Sequence, residues 1–145
     1  MRTLFVFRSA ACCVLVAALG CGAEGDGVKV YPVSGKVLVN GQPAEGATVT
    51  FYSTNDELRE HKLPPPTATV DANGEFRLSS YEPDDGAPVG EFQVTVVWPE
   101  PVPPNAVGVF DQKDRLRGRY ANPQISKLTA RVDPGGGELP PFELQ

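Results

Sequence analysis

From Val33 onward apolar and polar side chains alternate with a period of two. Val33, Gly35, Val37 and Val39 are interleaved with Ser34, Lys36 and Leu38, and Ala47, Val49 and Phe51 with Thr48, Thr50 and Tyr52. That period puts successive side chains on opposite faces and predicts two half-buried strands. Asn40-Gly41 and Glu45-Gly46 supply turn chemistry between them. Residues 67–70 and 75–79 predict a third and fourth strand, paired as a hairpin through Asp71-Ala72-Asn73-Gly74. The strongest alternation sets Phe92, Val94, Val96 and Trp98 on one face and Gln93, Thr95 and Val97 on the other, as expected of a central strand. A sixth strand turns Leu128, Ala130 and Val132 inward, and a seventh turns Phe142 and Leu144 inward, with Pro134-Gly135-Gly136-Gly137 between them.

No segment carries a helical period, no repeat is present, and all 15 prolines fall after residue 20. Proline at that density suppresses helix and marks strand edges and turns. The expected fold is therefore all-β, a seven-stranded antiparallel sandwich of Greek-key topology. Two stretches break the rhythm: a polar loop over 53–66 that ends in Pro64-Pro65-Pro66, and a longer excursion over 99–126. Loops of that length in a small domain are functional or disordered.

Ahead of the strands the chain reads differently. Arg2 and Arg8 precede a short apolar run, and Ala18-Leu19-Gly20-Cys21-Gly22 follows. The run is too short to span a bilayer, and its order is that of a secretory leader. A cysteine directly after a small residue resembles the lipobox of bacterial lipoproteins, with Ala18 and Leu19 in swapped order. The resemblance implies diacylation of Cys21 and membrane anchoring. Gly22 in place of Asp implies an outer-membrane destination in the cell envelope. The expected organisation is a signal peptide over 1–20, a lipidated cysteine and flexible tether over 21–30, and a β-domain over 31–145.

Cys12 and Cys13 fall in the leader and Cys21 carries lipid, so the domain holds no thiol for a disulfide or a zinc site. Taking 20 residues from 145 leaves 125, enough for one domain. The leader holds 2 of the 13 basic side chains and none of the 18 acidic ones, so the remainder carries a formal charge of −7. That balance argues against nucleic acid as a partner.

The strand and turn residues resemble the carboxypeptidase-regulatory-like and transthyretin-like domains, of the prealbumin type. The resemblance rests on Val33-Ser-Gly-Lys-Val37, Asn40-Gly41-Gln-Pro43, Glu45-Gly46-Ala47-Thr-Val49, Thr69-Val-Asp71-Ala-Asn-Gly74-Glu-Phe76 and Val89-Gly90-Glu-Phe92-Gln-Val94. Farther on, Arg119-Tyr120, Pro123, Ser126, Leu128, Ala130, Val132, Gly135, Phe142 and Leu144 are similar in spacing to short bacterial lipoproteins of this type. It implies the fold and the anchor, and no activity. The hydroxyisourate hydrolases of transthyretin fold use several histidines and a terminal Tyr-Arg-Gly-Ser, whereas this chain has only His61 and ends Phe142-Glu-Leu-Gln145. Intradiol dioxygenases need two histidines and two tyrosines around iron, and isopeptide-forming domains need an Asn that residues 139–145 lack, although Lys36 and Glu91 match two of their three residues.

Candidate chemistry is sparse. Asp71-Ala-Asn73-Gly74-Glu75 opens like a calcium loop, but the later ligands are missing and a hairpin turn explains every residue. Glu82, Asp84 and Asp85 form an acidic loop, and His61 has no nucleophile or second histidine nearby in sequence. Trp98 and Phe92 read as core before they read as a carbohydrate platform. Lys113, Arg115, Arg117 and Arg119 recur at every second position with Tyr120 beside them, so an extended segment would align them as a docking stripe for an anionic partner. The plainer alternative is a solvated segment paired with Asp111 and Asp114. The sequence thus points to a non-catalytic, lipid-anchored envelope module, without cofactor or metal, that binds an envelope protein or a polyanionic glycan. The alternative is an accessory that holds a glycan or small ligand through Tyr52, Tyr81, Phe110 or Tyr120, and a hydrolase comes last.

Overall fold

The computed structural model describes residues 27–61, 63–102, 105 and 112–145. The expected leader, Cys21 and most of the tether lie outside the described residues, as do Phe110 and Asp111.

The fold is all-β, built from several sheets. All seven expected strands are present: β2 (Val33–Val39), β4 (Thr48–Ser53), β5 (Thr67–Thr69), β6 (Glu75–Arg77), β8 (Gly90–Val97), β9 (Leu128–Val132) and β11 (Phe142–Leu144). Four two-residue strands join them: β1 (Val30–Tyr31), β3 (Gln42–Pro43), β7 (Ala87–Pro88) and β10 (Gly137–Glu138). One sheet runs β5-β4-β8-β9, a second gathers β3, β6, β10 and β11 around β2, and β1 pairs with β7.

Pairing departs from expectation in two places. β10 and β11 run parallel to β2, Phe142 opposite Val37 and Leu144 opposite Val39, so the arrangement is mixed and not purely antiparallel. The second departure lies at residues 67–79. Their turn forms as expected, with Asp71 N–H donating to Glu75 O at 2.8 Å, but β5 joins β4 while β6 joins β2. Only the bridge between Thr67 and Ser79 still links the two segments as a hairpin would. The β2–β3 hairpin, by contrast, closes on Asn40 and Gly41, with φ of 50° and 77°. Both central residues with positive φ match the twist of the flanking strands.

The expected loop over 53–66 contains one helical turn, α1 (Asp56–Glu60). Asn55 caps it, its side-chain oxygen accepting from Glu57 N–H at 2.9 Å, with Asp56 and Glu57 in the first turn where acidic side chains are favoured. Five residues are too few to impose a readable period.

The core lies between the two larger sheets. Phe51 of β4 is fully buried and meets Phe92 of its own sheet at 5.7 Å between ring centroids. Across the interface it meets Phe76 at 6.3 Å and Phe142 at 6.4 Å. Val37, Val49, Val94, Val96, Leu78 and Leu144 complete the interior. Leu128 and Ala130 are only half-buried, because β9 is an outer strand of its sheet. Gly86 is required where the chain crosses β1: its φ is 101°, and a Cβ there would lie 1.7 Å from Tyr31 O.

Candidate functional site

At one end of the four-stranded sheet the 53–66 segment folds back to wall a cleft of about 430 Å³. Local chemistry builds each wall. Thr54 donates to Glu91 O twice, from N–H and Oγ1, both at 3.0 Å, which binds the segment to β8 before α1 begins. After α1 the chain returns, and Pro66 O accepts from Phe51 N–H at 2.8 Å, laying residues 63–66 along β4. Three successive prolines fix φ and give a stiff wall that loses little entropy when a ligand docks. Leu58 and Arg59 line the cleft from the helix, Tyr52 and Gln93 from the sheet, and Pro123 and Gln124 from the long excursion. Tyr52 is 38% exposed, so its ring is accessible there. The lining is thus apolar surface with a phenol, two amides, the hydroxyl residues Ser53 and Thr54 and one guanidinium, and Arg59 is already paired with Asp56 at 2.9 Å. It can bind by stacking and hydrogen bonding.

The basic segment is wound, not extended. Arg117 N–H donates to Asp114 O and Arg119 N–H to Leu116 O, and Arg117 and Gly118 have φ of 54° and 73°. The Asp114 carboxylate organises this turn, accepting from Trp98 N–H at 2.9 Å, Leu116 N–H at 3.1 Å and Gly118 N–H at 2.7 Å. Leu116 is buried under it. Beyond it, Tyr120 O accepts from Val96 N–H, so the excursion continues along the β8 edge past the Val94–Leu128 pair where β9 stops, and Ser126 Oγ donates to Val94 O. The turns break the every-second-residue alignment that an extended chain would give. The Arg115 guanidinium lies 3.5 Å over the Trp98 ring, and Arg119 donates to Gln145 O. Lys113, Arg115, Arg117 and Arg119 are all exposed, and Tyr120 is half-buried with its hydroxyl accepting from Gln145 N–H. Trp98 donates through Nε1 to Glu45 O at 2.8 Å and packs against the core, so Arg115 already covers the face a sugar would use.

Two of the acidic candidates, Asp71 and Asp85, serve as turn staples. Asp71 Oδ1 accepts from Asn73 and Glu75 N–H at 2.8 and 2.9 Å. Asp85 accepts from Ser80, Tyr81 and Glu82 N–H. Partial burial pushes the Asp85 carboxyl up, but those N–H groups outweigh it and hold it below the usual carboxylate range. Among the described residues no group of three or more His, Cys, Asp or Glu is placed to hold a metal. His61 is exposed at the end of α1, its N–H donating to Glu57 O. Lys36 pairs with Glu75 at 3.0 Å, whereas Glu91 lies in the other sheet near Arg131. The Glu75 hydrogen bond and charge hold the Lys36 ammonium above the usual lysine range.

The cleft was not legible in the sequence, because its walls come from positions 52 to 124. The nearest signals were Asn55-Asp56-Glu57, a helix start, and the proline run. No family model matches this chain, and neither does any curated protein or solved structure.

Proposed function

We propose that this chain is a non-catalytic, lipid-anchored binding module of the cell envelope, with Cys21 diacylated and a short tether holding a transthyretin-like, Greek-key sandwich near the membrane. The observation that carries the binding role is the cleft between α1, the triple proline and Tyr52. Stiff proline walls and a partly exposed aromatic ring are the parts of a recognition surface, and an acyl anchor raises the effective concentration of such a surface toward its neighbours. Intact mass of the chain purified from membranes, beside Cys21→Ala, tests the anchor. A mature chain starting at Cys21 and carrying acyl groups, with the variant unmodified, is the expected result. An unlipidated chain cut elsewhere overturns the anchored reading.

A second reading, the glycan-binding accessory, is favoured by the grouping of the Tyr52 ring with the Gln93 and Gln124 amides. Rings stack on sugar faces and amides bond hydroxyls. Calorimetric titration with neutral and acidic oligosaccharides should then show binding that Tyr52→Ala weakens at least tenfold without moving the melting temperature. Equal binding by the variant removes the cleft from the reading. Lys113, Arg115, Arg117, Arg119 and Tyr120 remain the proposed contact for an anionic partner; all four basic residues are exposed, with Arg115 and Arg119 already engaged by Trp98 and Gln145 O.

A further inference from the structure

Among the described residues β9 is the outer strand of its sheet, paired only with β8. Val96 N–H and Val94 O both point to the β9 side, so the even-numbered residues of β8 bond β9 through Leu128, Ala130 and Val132. Thr129 and Arg131 therefore turn their N–H and C=O groups away from the sheet, and among the described residues these have no backbone partner. Both residues are exposed. An unpaired edge of this kind templates another strand.

The charges along the edge select the occupant. Lys127 precedes the strand, Arg131 lies within it and Asp133 follows it. An antiparallel copy centred on Thr129 would set Lys127 against Arg131 of the second copy, twice over. One centred on Arg131 would oppose the two arginines. Centred on Ala130, the pairing sets Lys127 against Asp133 of the second copy at both ends and Thr129 against Arg131, and no like charges face each other. Asp133 bonds Arg131 through Oδ1 at 2.9 Å, and Oδ2 has no bond among the described residues. The geometry points to self-association through β9: two copies pair antiparallel about Ala130, joining two four-stranded sheets into one of eight. The half-buried Leu128 and Ala130 then gain cover. This inference is independent of the cleft.

A zero-length carbodiimide tests it on the full chain in phosphatidylcholine vesicles. Within one copy Lys127 and Asp133 flank the five extended residues of β9, which hold them roughly 20 Å apart, so a Lys127–Asp133 amide can form only between copies. That peptide in the dimer band is the expected product, and its absence overturns the proposal. Sedimentation of the detergent-solubilised chain supplies the second readout. Opposed charges across strands repel, so Lys127→Glu and Asp133→Lys should each raise the dimer dissociation constant about tenfold, and the double variant should restore it to within about threefold. A double variant as weak as either single one overturns the register. Thr129→Pro removes an outward N–H but no bond to β8, so it should keep the circular dichroism spectrum and abolish the dimer. A persisting dimer would place the interface elsewhere.

Discussion

Removal of the Phe51 ring is the most direct probe of the interface between the sheets. Phe51 is fully buried and touches rings from both sheets, 5.7 to 6.4 Å between centroids. Its backbone cannot collapse into the void, because β4 is bonded along both edges, to β5 and to β8. Phe→Ala in a core costs about 3–5 kcal/mol, and a rigid site belongs at the upper end, about 4–5 kcal/mol for Phe51→Ala. Tyr52→Ala is the control: the next residue faces the other way, is partly exposed, and should cost under about 1 kcal/mol. Urea denaturation followed through the single tryptophan, Trp98, and by far-ultraviolet circular dichroism reads both variants. With a slope of roughly 1–3 kcal/mol per molar urea, the Phe51→Ala midpoint should fall by more than about 1.3 M. A loss below about 2 kcal/mol, or one no larger than that of Tyr52→Ala, would refute a shared core centred on this ring.

Two further outcomes follow from single residues. Gly86→Ala places a Cβ 1.7 Å from Tyr31 O at a φ of 101°, which must displace β1, so thermal melting should show a loss of about 3 kcal/mol or more; an unchanged melt would mean that β1 is not seated on this turn. Asp85 titrates below its ordinary value of 3.8, so its contribution is complete at neutral pH and is lost as pH falls below that value through the folded-state pKa; Asp85→Asn should lower stability at pH 7 and flatten its fall below about pH 4, and parallel curves for the two proteins would contradict the role of the Ser80, Tyr81 and Glu82 N–H groups.

The strands that sequence made legible are those long enough to alternate. Val33–Val39 and Gly90–Val97 declare a buried face through every second residue, and Asn40-Gly41 declares its turn through positive φ. Two-residue strands have no period, so β1, β3, β7 and β10 were invisible. Partner choice was also unreadable. Alternation reports which face is buried, not which strand lies alongside, and so neither the parallel docking of β11 nor the divergence of β5 and β6 was foreseen. The basic segment misled because every-second-residue spacing looks extended on paper. Asp114, with a glycine four residues on, was the available sign that a carboxylate would gather the N–H groups of Leu116 and Gly118 into a turn.

The parallel seat of β11 on β2 also governs the order in which the molecule can assemble. Val37 and Phe142 are neighbours in space but 105 positions apart along the chain. Bringing such distant segments together costs about 4 kcal/mol of loop-closure entropy before any contact compensates. β2 must therefore wait with part of its edge unmatched until the chain has been made through Leu144. Folding here cannot propagate steadily from the amino end, and topology of this kind belongs to the slow-closing class. β11 acts as the keystone that fixes β2.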